Sequence, residues 1–154
     1  MDPLVNPEEA AARIVRLFEH FAAADVARLP QFYMADAWFK DPFNEVRGIA
    51  AVQRIYGHMF ETLESQRFVV TTCLTQREEV FLAWDFRFTF RSWRQGQEQL
   101  VRGASHLRLA PDGRIAWHRD YWDAAEEVYE KLPLLGGLMR WLKARAKTPQ
   151  DQAP

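Results

Sequence analysis

The chain has 154 residues, 48% of them apolar and 27% charged, with 20 basic against 21 acidic side chains and a formal net charge of −1. That length predicts one domain, which buries about 70% of its unfolded surface and needs neither metal nor disulfide to hold a core. The charge balance gives no electrostatic footprint for nucleic acid, no apolar run reaches the roughly 20 residues of a bilayer span, and Cys73, the single cysteine, excludes an internal disulfide. The start MDPLVNPEEAA replaces the basic and then apolar stretch of a secretory leader, so a cytoplasmic protein is expected.

Helices come first. Asn6 is placed as an N-cap, Pro7 at the first helical position and Glu9 to close a capping box. The apolar set Ala11, Ile14, Val15, Phe18, Phe21 and Ala22 then marks one buried face to about residue 23. A second short helix is expected over residues 25–33. Residues 37–41, AWFKD, lack helical period and stop at Pro42, which predicts a short strand followed by a loop ending at Gly48. Ile49, Val52, Tyr56, Met59, Phe60 and Leu63 place a helix over residues 49–63.

The period then changes to that of strands, expected at residues 66–77, 79–93, 98–110 and 114–123. Gln95-Gly96 and Asp112-Gly113 supply the later turns of an antiparallel meander. In the second of these strands Leu82, Trp84, Phe86, Phe88 and Phe90 alternate with Ala83, Asp85, Arg87, Thr89 and Arg91, so the aromatic face should meet the helices. The pattern describes an α+β, cone-shaped domain, its N-terminal helices packed on a curved antiparallel sheet. It is assigned to residues 1–131. Residues 124–130 and 133–146 read as helical, the stretch 132–147 being a basic, Leu- and Trp-rich amphipathic helix, and 148–154 as a disordered tail. That helix is expected on the pocket mouth or a partner subunit, with contact to a membrane surface as the alternative.

Six Trp, eleven Phe and four Tyr exceed what filling a core of this size requires, which suits a stiff core or an apolar ligand pocket. Two segments carry a family resemblance. AWFKDPFNEVRGIAAVQRIYGHMF is similar to the strand, Asp-Pro turn and helix of ketosteroid isomerases, and GASHLRLAPDGRIAWHRDYWD resembles the last hairpin of the same nuclear-transport-factor-2-like superfamily. The HRDYWD segment is also similar to limonene epoxide hydrolases and to SnoaL-type polyketide cyclases. The order of elements agrees up to Asp123, and the resemblance implies the cystatin-like roll of that superfamily.

The resemblance places Asp41 where the isomerases keep their general base and Asp120 where the cyclases keep an acid/base. An Asp before Pro is equally a turn-capping residue. The isomerases' oxyanion donors fall at Leu17 and Ser105, which do not rebuild that hole. The epoxide hydrolase triad is broken as well, because its neighbouring-strand positions fall at Trp84 and Phe86, while Asp85 and Arg87 lie one step out of register and face away. Side chains two apart on a strand share a face, so His118, Asp120 and Trp122 point together.

The expected catalytic set is Asp41, Asp120 and His118, and the expected ligand-binding set is Trp38, Tyr56, Phe60, Trp84, Phe86, Ser105 and Trp122. His118 is read either as a proton partner or as a histidine satisfied in the core. No metal spacing, phosphate loop or nucleophile elbow is present, so neither cofactor nor metal is expected. These residues fit a cofactor-independent isomerase, cyclase or hydratase acting on a small hydrophobic molecule, working as a homodimer through the outer sheet face. The alternative is a non-catalytic ligand-binding or protein-interaction domain of the same fold.

Overall fold

In a computed structural model that describes residues 5–92 and 95–123, Asn6 begins helix α1 (Pro7–Glu19) through its own side chain. Asn6 Oδ1 accepts from the Glu8 N–H at 2.9 Å, so the cap closes on Glu8 rather than on Glu9. Ala10, Ala11, Ile14, Leu17 and Phe18 form the buried face. The helix ends at Glu19, short of residue 23. The next segment is a 3-10 helix, Ala23–Gln31, in place of the α-helix expected over 25–33. Asp25 opens it by accepting from the Ala22 N–H at 3.0 Å, and Pro30 within it has no N–H to give to a longer ladder.

Strand β1 (Tyr33–Lys40) therefore starts four residues before the expected strand. The expected loop before Gly48 contains a three-residue strand, β2 (Glu45–Arg47), which pairs back on β1. Helix α2 (Ile49–Thr62) buries Val52 and Tyr56. The chain then builds β3 (Leu63–Gln76), β4 (Glu79–Phe90), β5 (Gln99–Leu109) and β6 (Ile115–Trp122). Between β5 and β6, Gly113 has φ 79°, in the region that favours glycine, and Asp112 Oδ1 accepts from the Arg114 N–H at 3.0 Å, as the Asp-Gly turn requires.

The six strands run in the order β2-β1-β6-β5-β4-β3. The meander β3 to β6 is antiparallel as expected, and β1 joins its far side parallel to β6, with Phe39 opposite His118. The sheet is curved and unclosed, with the helices packed on it. Register shifts in β3 at Glu64/Arg67 and Val70/Thr72 supply local bends, because a bulge kinks the strand that carries it. Val80, Leu82, Trp84, Phe86 and Phe88 of β4 are buried on the helix side, so the alternation in that strand is obeyed. On the other face Asp85 lies 3.9 Å from Arg102 and Arg87 3.0 Å from Glu98.

By internal contacts the chain divides into Met1–Trp122 and Asp123–Pro154, and this fold is that of the first unit. The expected helices at 124–130 and 133–146, the amphipathic segment 132–147 and the tail 148–154 lie outside the described residues. Among the described residues no helix is long and apolar enough to cross a membrane.

Candidate active site

Alternation along β6 sends His118 and Asp120 to the helix-covered face, while Arg119 and Tyr121 stay together on the other, the guanidinium 4.7 Å from the Tyr121 ring centre. The inward pair anchors a hydrogen-bonded chain drawn from five elements. Trp84 Nε1 donates to Ser105 Oγ at 2.9 Å, and Ser105 Oγ donates to Asp120 Oδ1 at 2.5 Å. His118 Nε2 lies 2.7 Å from the same Asp120 oxygen. On the other side of the imidazole, Nδ1 is 2.8 Å from the Tyr33 hydroxyl, which is 3.2 Å from the Tyr56 hydroxyl. Trp84, Ser105, His118, Tyr33 and Tyr56 are all buried, whereas the Asp120 side chain keeps 17% of its surface exposed. Among the described residues Asp120 Oδ2 accepts no hydrogen bond, so Asp120, where the two arms of the chain meet, is the member that solvent or a ligand reaches.

Aromatic rings hold this chain in place. Phe39 lies 4.8 Å from the His118 ring centre and 5.9 Å from that of Tyr56, with Phe18 at 6.2 Å from His118. The Tyr33 ring is parallel to the imidazole to within 5°.

The other expected site residues divide. Asp41 caps its own turn: Oδ1 accepts from the Phe43 and Asn44 N–H groups at 2.7 and 2.6 Å, and Asn44 Nδ2 donates to Oδ2 at 3.0 Å. Trp38 stands on the opposite sheet face, stacked on Trp117 at 5.0 Å and 13°. Its alternate, Phe39, takes the inward position. Phe86 stacks on Phe68 at 4.2 Å and Phe60 packs on Phe21 at 5.4 Å, both within the aromatic core. Half-buried Trp122 meets the edge of Phe43 at 5.3 Å. Sequence reasoning missed Tyr33, which was assigned to a helix end, and Phe39, which was overlooked beside Trp38. Neither carries a local signal, because YMADAWFK does not alternate in polarity and only pairing within the sheet turns Tyr33 and Phe39 inward. Among the described residues no group of three His, Cys, Asp or Glu side chains is arranged to hold a metal.

Burial raises both phenols. Tyr33 is pushed far above its ordinary value by desolvation, which outweighs its hydrogen bond with Tyr56, and the Asp120 charge adds to the rise. Tyr56 is raised well above 10 by desolvation, then by Tyr33, Asp120 and Asp41. Both remain neutral donors at any physiological pH. Because the fold favours the protonated form, the stability tied to these groups is complete below the unfolded value of about 10 and is lost as pH rises above it. An alkaline titration followed by phenolate absorbance, compared with those of Tyr33→Phe and Tyr56→Phe, should therefore show the Tyr33 and Tyr56 phenols ionising only as the protein unfolds. Four tyrosines titrating near 10 with the fold intact would contradict the buried chain.

No functionally curated protein matches the chain. Solved structures superpose on it at low identity. A putative SnoaL-like polyketide cyclase from Shewanella putrefaciens does so with a TM-score of 0.67 and 15% identity over 83% of this chain and 96% of its own. A putative isomerase from Bacillus subtilis gives 0.65 and 18% over 89% and 96%. An LEH-like epoxide hydrolase from M. tuberculosis gives 0.63 and 15% over 90% and 93%. At such identities the likeness establishes the nuclear-transport-factor-2-like fold and leaves the reaction open. The sequence model of the SnoaL-like domain matches residues 14–118, from the buried face of α1 to the imidazole of the hydrogen-bonded chain, and this protein belongs to that family.

Proposed function

We propose that the protein is a cofactor-independent acid/base enzyme, of isomerase, cyclase or hydratase type, that moves a proton on a small hydrophobic molecule bearing a carbonyl group. Asp120 is its proton-transferring carboxylate. The observation that carries this reading is the asymmetry of that carboxyl: Oδ1 is fixed by Ser105 and His118, while Oδ2 accepts no hydrogen bond among the described residues. A carboxylate held this way at the edge of an aromatic core can take a proton from a carbon next to a carbonyl and return it elsewhere, as general acid/base catalysis requires. Asp41, the other expected carboxylate, has both oxygens occupied by its own turn, which favours Asp120. Trp84 and Ser105 are read as orienting residues, and Trp122 and Phe43 as the apolar rim. We also propose a homodimer through the outer sheet face; in support, the Trp38–Trp117 stack lies on the same side as exposed Leu74, Phe81 and Tyr121.

The test is hydrogen–deuterium exchange at the α-carbons of a panel of apolar ketones in D2O, followed by proton NMR. Asp120→Asn should slow exchange about 100-fold or more, and Asp41→Asn should leave it within about threefold if its folded fraction is matched. Equal loss in both variants, or exchange that ignores Asp120, would remove the assignment. Binding of a ketone with no exchange in any variant would favour the ligand-binding alternative.

A further inference from the structure

We propose that Tyr33 is a positioning residue: it donates its phenol proton to His118 Nδ1, holds the imidazole as the Nε2–H tautomer, and so keeps Asp120 Oδ1 a hydrogen-bond acceptor while Oδ2 exchanges protons. The proposal rests on the reading of Asp120 as the proton-transferring carboxylate and assigns how that group is kept ready. An indole N–H can only donate, so Ser105 Oγ accepts from Trp84 and its own proton goes to Asp120 Oδ1. Asp120 Oδ1 is thus an acceptor, and His118 Nε2, 2.7 Å away, must be the donor that faces it. A neutral imidazole with hydrogen on Nε2 has a lone pair on Nδ1. That lone pair is buried with the ring, His118 being 1% exposed, and an unpaired buried acceptor is costly.

The Tyr33 hydroxyl at 2.8 Å is its partner and the Tyr56 hydroxyl supplies the donor that Tyr33 oxygen then needs. Every proton in the chain therefore points toward Asp120. Neither phenol ionises in this setting, which keeps the direction fixed. Packing by Phe18 and Phe39 holds the ring in place, and the Tyr33 bond selects which nitrogen carries the hydrogen.

The experiment is two-bond 1H–15N correlation NMR on the nitrogen-15-labelled full chain without ligand, with His118 signals assigned by their loss in His118→Gln. The wild type should show hydrogen on Nε2 and none on Nδ1. Tyr33→Phe should produce a mixed or inverted tautomer, and Tyr56→Phe, which leaves the Tyr33–His118 bond intact, should keep the wild-type pattern. Hydrogen on Nδ1 in the wild type overturns the proposal, and so does an unchanged tautomer in Tyr33→Phe. If Tyr33→Phe does not fold, the wild-type tautomer and its persistence in Tyr56→Phe decide the matter, a shift in Tyr56→Phe counting against Tyr33. With an exchanging ketone in hand, kcat in Tyr33→Phe should fall about tenfold or more with KM within about twofold, because a wrong tautomer removes a productive hydrogen bond without altering the binding surface. The tautomer readings need no substrate, so their failure is distinct from failure of the Asp120 assignment.

Discussion

Phe39→Ala should cost about 3–5 kcal/mol of folding stability, the largest loss of any substitution considered for this protein. Phe39 is 2% exposed and lies opposite His118 in the parallel ladder between β1 and β6. Its ring joins the sheet to the helix above it, packing on the imidazole of β6 at 4.8 Å and on Tyr56 of α2 at 5.9 Å. Truncation leaves a cavity that neither neighbour can fill, because both are tied by hydrogen bonds to Tyr33. The cavity term then adds to the lost transfer energy. Trp38→Ala is the control. That ring is larger, but it is half-buried and stacked on Trp117 on the outer face, where solvent and neighbouring side chains can close over the gap. The urea midpoints of the two variants decide the point, and an equal or smaller loss for Phe39 would mean that β1 does not present Phe39 inward.

Gly103→Val should destabilise by about 1–3 kcal/mol although valine is the better strand former. Gly103 sits on β5 between Trp84 on β4 and Trp122 on β6. A Cβ built there would lie 2.4 Å from Trp84 Cη2 and 2.7 Å from Cζ2, well inside van der Waals contact. The glycine is therefore a floor on which the Trp84 ring lies. Strand propensity offers at most about 1 kcal/mol in favour of valine. Overpacking costs about 1–3 kcal/mol, and displacing the ring also breaks the Trp84–Ser105 bond, worth about 1 kcal/mol. The clash wins. Thermal unfolding should show the loss, and indole fluorescence should report a changed Trp84 environment even at temperatures where the variant is folded. A valine variant as stable as the wild type would show that the indole can leave Gly103 freely.

The meander was legible because β4 alternates without a fault from Val80 to Phe88 and because Asp112-Gly113 is a turn by chemistry alone. Helix α1 was legible from Asn6-Pro7 for the same kind of reason. Three residues, Glu45 to Arg47, are too few to show a period, so β2 read as loop. Tyr33, Met34, Ala35 and Asp36 carry no strand signature of their own, and the pairing that sets Tyr33 against Ile115 of β6 is one that local sequence does not display. That error hid the Tyr33 phenol inside a supposed helix end. Trp38 and Phe39 are adjacent, both large and both apolar, so only pairing decides which turns inward, and it is Phe39 that does. His118 and Asp120 were brought to one face correctly by strand parity, but parity says nothing about hydrogen-bond direction. The turn role of Asp41 was available from Asp-Pro chemistry, and the structure displays it in full.

The parallel seam between β1 and β6 governs when the site can exist. Its strands come from opposite ends of the described chain, and the bond between Tyr33 and His118 spans 85 residues of sequence. During synthesis β1 emerges early with no partner on its β6 side, and its loop-closure entropy is repaid only after the meander has been completed. Each chain thus passes through a period in which a strand edge and the Phe39 ring are uncovered, the condition under which nascent chains associate wrongly. The Tyr33–His118 hydrogen bond across that seam is therefore among the last contacts to form as the protein folds. A chain truncated before β6 would lack both His118 and Asp120, on which the two halves of the hydrogen-bonded chain converge.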